Sequence, residues 1–177
     1  MKPTITRSSG VPTGHLGLLC GSGRTGATAD LDAAVQEAAE ALRAHYGRDV
    51  TIRFNSDRRS GGAWLVTHAR DSISANAEIG ICASLYVTAE VRAMHERYPD
   101  PDFTVADRLR RDGVDPDAPP ASYLVLNVHV RQAHLVDPAL AESGSPESRY
   151  LRRPVSTVEE AVAFLAAQTR DPGPVIA

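Results

Sequence analysis

The chain has 177 residues, 42% hydrophobic and 23% charged, a balance that supports one buried core and excludes the low-hydrophobicity, high-charge signature of disorder. Its formal net charge of -3 lacks the strongly basic character that binding to nucleic acid or an anionic membrane usually needs, so neither is expected as a partner. The longest apolar run near the N-terminus, residues 16 to 20, is too short for a signal-peptide core or a membrane span, and the expected location is the cytoplasm.

Residues 1 to 14 are polar, punctuated by Gly and Pro and without periodicity, and read as an N-terminal arm. A single domain is expected over residues 15 to 170, followed by a short tail over 171 to 177. A short strand fits residues 15 to 20. Over residues 29 to 46 the apolar positions Leu31, Val35, Ala38, Leu42 and Tyr46 recur at helical spacing, with Gly47 as the stop. Three strands are then expected, over residues 50 to 55, 63 to 70 and 77 to 87. The gaps between them, one of them built on Arg59-Ser60-Gly61-Gly62, are too short for crossover helices, so the spacing predicts an antiparallel meander.

Residues 88 to 98 follow a helical period, with Val87, Val91, Met94 and Tyr98 in register and Pro99 ending it. A second helix, capped by Thr104, is predicted over 105 to 111 and stops at Gly113. A Pro- and Asp-rich connector over 112 to 120 leads to a long strand over 123 to 136. Leu124, Leu126, Val128 and Val130 face one way on that strand, and Val125, Asn127, His129 and Arg131 the other. Residues 137 to 154 read as an irregular polar loop. The last helix, over 158 to 168, is expected to open with a capping box of Ser156 and Glu159. The fold class predicted is α+β, a two-layer, mainly antiparallel sheet of four or five strands packed by three or four helices.

The one formal motif is Gly21-Ser22-Gly23-Arg24-Thr25-Gly26, a GxGxxG between a predicted strand and a predicted helix. Its glycines would let backbone approach a phosphate, with Arg24 as a charge partner, so Gly21, Gly23, Arg24 and Gly26 are candidate ligand contacts. The acidic ribose ligand of a dinucleotide site should follow about 20 residues on. The nearest candidate, Asp57, comes 31 residues after Gly26, and no cofactor is expected. Cys20-Gly21-Ser22 is similar to the opening of cytokinin-activating phosphoribohydrolases, but the later Gly-rich catalytic motifs of that family are absent from this chain.

The second candidate site is the polar strand face carrying Asn127, His129 and Arg131, with His134 past a bend, joined by Arg53 from the first meander strand. An imidazole moves protons near neutral pH, and a guanidinium grips a carboxylate or phosphate. His68, Arg70 and Asp71 form a third, weaker cluster beside Trp64. Cys20 and Cys82 lie in apolar runs and are expected as buried, reduced thiols; no histidine or cysteine spacing fits a metal. Arg108, Arg110 and Arg111 read as an exposed helix face, and Arg149, Arg152 and Arg153 as a basic patch suited to phosphate or an acidic partner.

Two functions are compatible with this pattern. The first is a non-catalytic protein-binding or assembly module of immunity, adaptor or virion-assembly type, contacting a partner or a second copy through the polar arms 1 to 14 and 137 to 154. The alternative is a small enzyme or ligand-binding protein for an anionic metabolite, a phosphate or carboxylate. A concavity bringing His129, Arg131 and Arg53 together would favour the alternative.

Overall fold

The structure, a computed structural model, describes residues 31–65, 79–145 and 149–170. The N-terminal arm, the strand expected over 15 to 20, the glycine motif with Gly21, Gly23, Arg24 and Gly26, the cluster His68, Arg70 and Asp71, Cys20 and the tail from 171 all lie outside the described residues.

Alternating strands and two strongly periodic helices build the chain from its middle outward. The strands β1 (Val50–Phe54), β2 (Ser60–Leu65), β3 (Ile79–Val87), β4 (Ser122–Arg131) and β5 (Tyr150–Val155) form one sheet in sequential order. Every neighbouring pair is antiparallel. The helices are α1 (Leu31–Tyr46), α2 (Thr88–Arg97), α3 (Val105–Arg111) and α4 (Val158–Gln168), so the described residues make the α+β arrangement that the sequence predicts.

The main core lies on one face of the sheet. Leu31, Val35, Ala38 and Leu42 of α1, and Val158, Ala161 and Leu165 of α4, pack on Ile52, Ile81, Leu126, Val128 and Val130. Leu126, Val128 and Val130 are each 0% exposed. A second, smaller cluster sits on the opposite face, where Leu109 and Val114 cover Tyr123 and Val125, with Tyr86 alongside. At its centre Asp112, buried in the connector, accepts from the Tyr123 hydroxyl at 3.0 Å and from Arg108 Nε at 2.7 Å. α2 and α3 lie at one end of the second face, and none of the described helices covers the other end.

Several expectations are corrected. The first turn of the meander is made by residues 55 to 59, with Ser60, Gly61 and Gly62 already in β2. Asn55 accepts from the Ser60 amide through its side chain at 2.8 Å and tightens that turn. The strand predicted over 123 to 136 ends at Arg131. Its β5 partner begins at Tyr150, opposite Arg131, and the Gln132 amide makes one more bond, to the Arg149 carbonyl at 3.0 Å. The chain then tightens into a 3₁₀ turn, Gln132–His134, and drops Leu135 into the core.

The loop expected over 137 to 154 contains β5, an edge strand. Pro154 and the exposed Arg152 and Arg153 obscure its alternation, and an edge is where a strand tolerates a proline. The capping pattern of α4 is shifted by one residue: Thr157 accepts from the Glu160 amide at 3.0 Å, and the Glu160 carboxylate accepts from the Ser156 amide at 2.7 Å. The cap at Thr104 stands, as a complete box with Asp107. In α2 only Val91 of the expected stripe is buried. Met94 and Tyr98 are 63% and 65% exposed. Arg108 is not on an exposed face, since it pairs with Asp112 and lies 4.9 Å over the Tyr86 ring.

Leu126→Ala should destabilise the chain by about 2–5 kcal/mol, the cost of a cavity in a core that cannot collapse freely. Met94→Ala, at an exposed position, should stay within roughly 0.5 kcal/mol of wild type. Urea denaturation midpoints at a common slope measure both.

Candidate ligand-binding site

Because side chains alternate along a strand, burial of Ile81, Leu126, Val128 and Val130 in the main core sends their neighbours to the open end of the other face. The pairing registers align these neighbours in two rows across the sheet. One row runs Arg53, Gly62, Cys82, Asn127, Pro154, and the next Thr51, Trp64, Gly80, His129, Arg152. The rows enclose a cavity of about 400 Å³ to which Arg53, Trp64, Cys82, Asn127, His129 and Arg152 all contribute, with Tyr150 at its side.

Small residues give this cup its depth. A Cβ on Gly80 would lie 2.4 Å from a Trp64 ring carbon and 2.8 Å from the Ala63 carbonyl oxygen, so only glycine lets the indole lie flat on β3. A Cβ on Gly62 would stand 2.9 Å from Trp64 Nε1 and 3.2 Å from Cys82 Sγ. With the indole laid down, His129 meets it edge-on, ring centroids 5.2 Å apart at 74°. On its other side His129 stacks on Tyr150 at 4.5 Å and 20°. Three rings therefore form a wall from β2 to β5.

The polar content of the cup is one-sided. Its lining includes Arg53 and Arg152 and no carboxylate. Burial, then the neighbouring charges of Arg152 and Arg131, push the His129 imidazole down to about 4, so it is neutral at physiological pH. Burial pushes the Cys82 thiol up to about 12, and it is a free, protonated thiol, a poor nucleophile. Asn127 is only 6% exposed and lines the cavity. A carboxamide in the lining can offer a ligand both a donor and an acceptor.

Of the residues singled out from the sequence, Arg53 and His129 are brought together in this cup. Arg131 lies on the same face, two residues beyond His129 and opposite Tyr150, and acts on the imidazole through its field rather than by lining the cavity. Asn127 was read from the sequence on the same strand face as His129, but Arg152 was not joined to them. Arg152 was visible only as part of a basic patch, and that patch is divided: Arg153, its neighbour, points to the other face and lies 4.6 Å over the Phe164 ring. The signal was the alternation Tyr150, Arg152, Pro154 against Leu151, Arg153, Val155. Among the described residues no group of three His, Cys, Asp or Glu side chains could hold a metal ion, and no helix is long and apolar enough to cross a membrane. No known family model matches the chain, and no curated protein or solved structure shows significant similarity to it.

Because His129 is held neutral in the folded chain, the unfolded chain binds more protons between its ordinary value of 6.5 and about 4. Stability contributed by the neutral ring is present above that window and lost as pH falls through it. The loss should be about 1–2 kcal/mol after allowing for solvent screening of a ring that is not fully enclosed. Urea denaturation between pH 7 and 4 should show it, and His129→Gln should flatten the dependence. An imidazole that titrates near 6.5 by NMR would remove the effect.

Proposed function

We propose that this chain binds a small anionic metabolite, bearing a phosphate or carboxylate, in the cup on the open face of its sheet. The observation that carries the reading is the positive charge of that cavity: Arg53 and Arg152 line it, Arg131 lies nearby, and none of the described lining residues carries a carboxylate. An anion there would relieve the positive field that adds to burial in keeping His129 unprotonated. Asn127 and the Trp64 indole N–H are the neutral donors that would orient it.

Retention of a ligand fits the groups present better than covalent chemistry, since Cys82 is protonated and His129 is a weak base until an anion is bound. Once one is bound, the imidazole would regain basicity, and proton transfer to or from the ligand is the step that the site could then support.

The alternative, a protein-binding or assembly module, has the exposed Met94 and Tyr98 of α2 on its side. Of the arms on which it leaned, 1 to 14 lie outside the described residues, and much of 137 to 154 is built into β5 and short turns. Native mass measurement of the purified chain separates the two: a retained small molecule supports the cup, a stoichiometric second polypeptide the module.

Arg152→Ala should weaken binding of inorganic phosphate or of a dicarboxylate by about tenfold or more, the 1.5–3 kcal/mol typical of a charged hydrogen bond. Arg153→Ala, whose guanidinium stacks on the opposite face, should leave it unchanged. Ligand-induced rise in melting temperature reports both. No rise in the wild type with any anion tried, or an equal loss in both variants, would overturn the reading.

A further inference from the structure

The cup does not end at its rim. A second cavity of about 320 Å³ adjoins it, and Ser60 and Ser84 line both. These two serines are register partners on β2 and β3, on the same face as Cys82 and Asn127. The divide between the cavities is therefore a saddle that includes two short hydroxyl side chains. Beyond the saddle the lining changes character: Leu85, Tyr86, Val87, Val91 and Met94 supply an apolar groove between β3 and α2.

The groove is firmly built. Tyr86 stacks on Tyr123 at 5.6 Å and is held from the other side by Arg108 at 4.9 Å. The exposed Arg59 and Glu90 pair across its margin. Met94 hangs over it with 63% of its surface in solvent, and an exposed flexible thioether beside half-buried apolar groups gains by being covered. From Cys82 at the floor of the cup to Tyr86 in the groove, β3 advances by four residues, about 13 Å at the rise of a strand. That span suits a medium-length alkyl chain.

We infer that the ligand is amphiphilic, its anionic head held in the cup by Arg152 and Asn127 and its apolar tail laid across the Ser60–Ser84 saddle into the groove under Met94. The inference rests on the anion reading of the cup and adds the tail. Charge chooses the head's end, since Arg152 lines the cup with no ion pair to another described residue, whereas in the groove Arg59 and Arg108 are paired with Glu90 and Asp112. A second copy of the chain or another protein covering Met94 would need no anion, which is what the test separates.

The probes are methyl, butyl, hexyl and octyl phosphate, each below its micellar concentration, titrated calorimetrically into the full chain. The dissociation constant should fall about two- to fourfold per added methylene. Met94→Asn should flatten that slope and leave methyl phosphate binding unchanged, with its thermal melt as the control for folding. Arg152→Ala should weaken all four probes about tenfold or more. Binding of methyl phosphate with no dependence on chain length would overturn the tail and leave the cup standing. A slope preserved in Met94→Asn would overturn the placement of the tail. Octyl phosphate binding that ignores Arg152→Ala, or no binding by any probe, would overturn the head site and with it the reading on which this inference rests.

Discussion

The burial of Leu126, Val128 and Val130 against α1 and α4 fixes the direction of every side chain between them. A strand has a period of two, so an apolar row committed to one core sends its neighbours to the opposite face whatever their chemistry. β4 lies between β3 and β5, and its register carries the same division to both. Asn127 and His129 stand on the second face because a slip by one residue would expose three fully buried aliphatic side chains. Their placement follows from the main core, and their environment follows from what covers the second face.

That face is divided. At the end nearer Tyr123, α3 and the connector place Leu109 and Val114 on it, and Asp112 closes the cluster with two hydrogen bonds. The pairing matters because a lone carboxylate in that position would be costly, whereas one shared between Arg108 and the Tyr123 hydroxyl is satisfied. At the other end no described helix lies on the sheet, and the side chains there are small or polar: Gly62, Gly80, Cys82, Ser84. Their small volume turns the twisted sheet surface into a cup, with the flat indole of Trp64 as its wall.

The charges of the cup come mostly from the edges of the sheet. Arg53 is on β1 and Arg152 on β5, the outermost of the described strands, while the central strands supply Cys82, Asn127 and His129. Arginines on an edge strand also discourage pairing with other chains, so exposed cations have a use there beyond the cup. The two roles are separated by alternation on β5, where Arg152 faces the cavity and Arg153 reaches across to Phe164.

Local pattern sufficed for the elements whose periodicity is strong: α1, the alternation of β4, the antiparallel pairing of neighbouring meander strands and the Thr104 cap. In each of these, local spacing and core burial agree. It also placed Arg53 and His129 on one face, since both stand between residues that must be buried. It could not supply strand order or register, which depend on contacts far apart in the chain, and so could not tell that Arg152 rather than Arg131 lines the cup. It missed β5 because an edge strand with Pro154 and two arginines has only one face to bury and little local signal to spare. It overstated the apolar stripe of α2, because the pattern of Val91, Met94 and Tyr98 is the same whether or not a sheet lies beneath all three. Tertiary structure decided that only Val91 reaches it, and so left Met94 above a groove next to the cup.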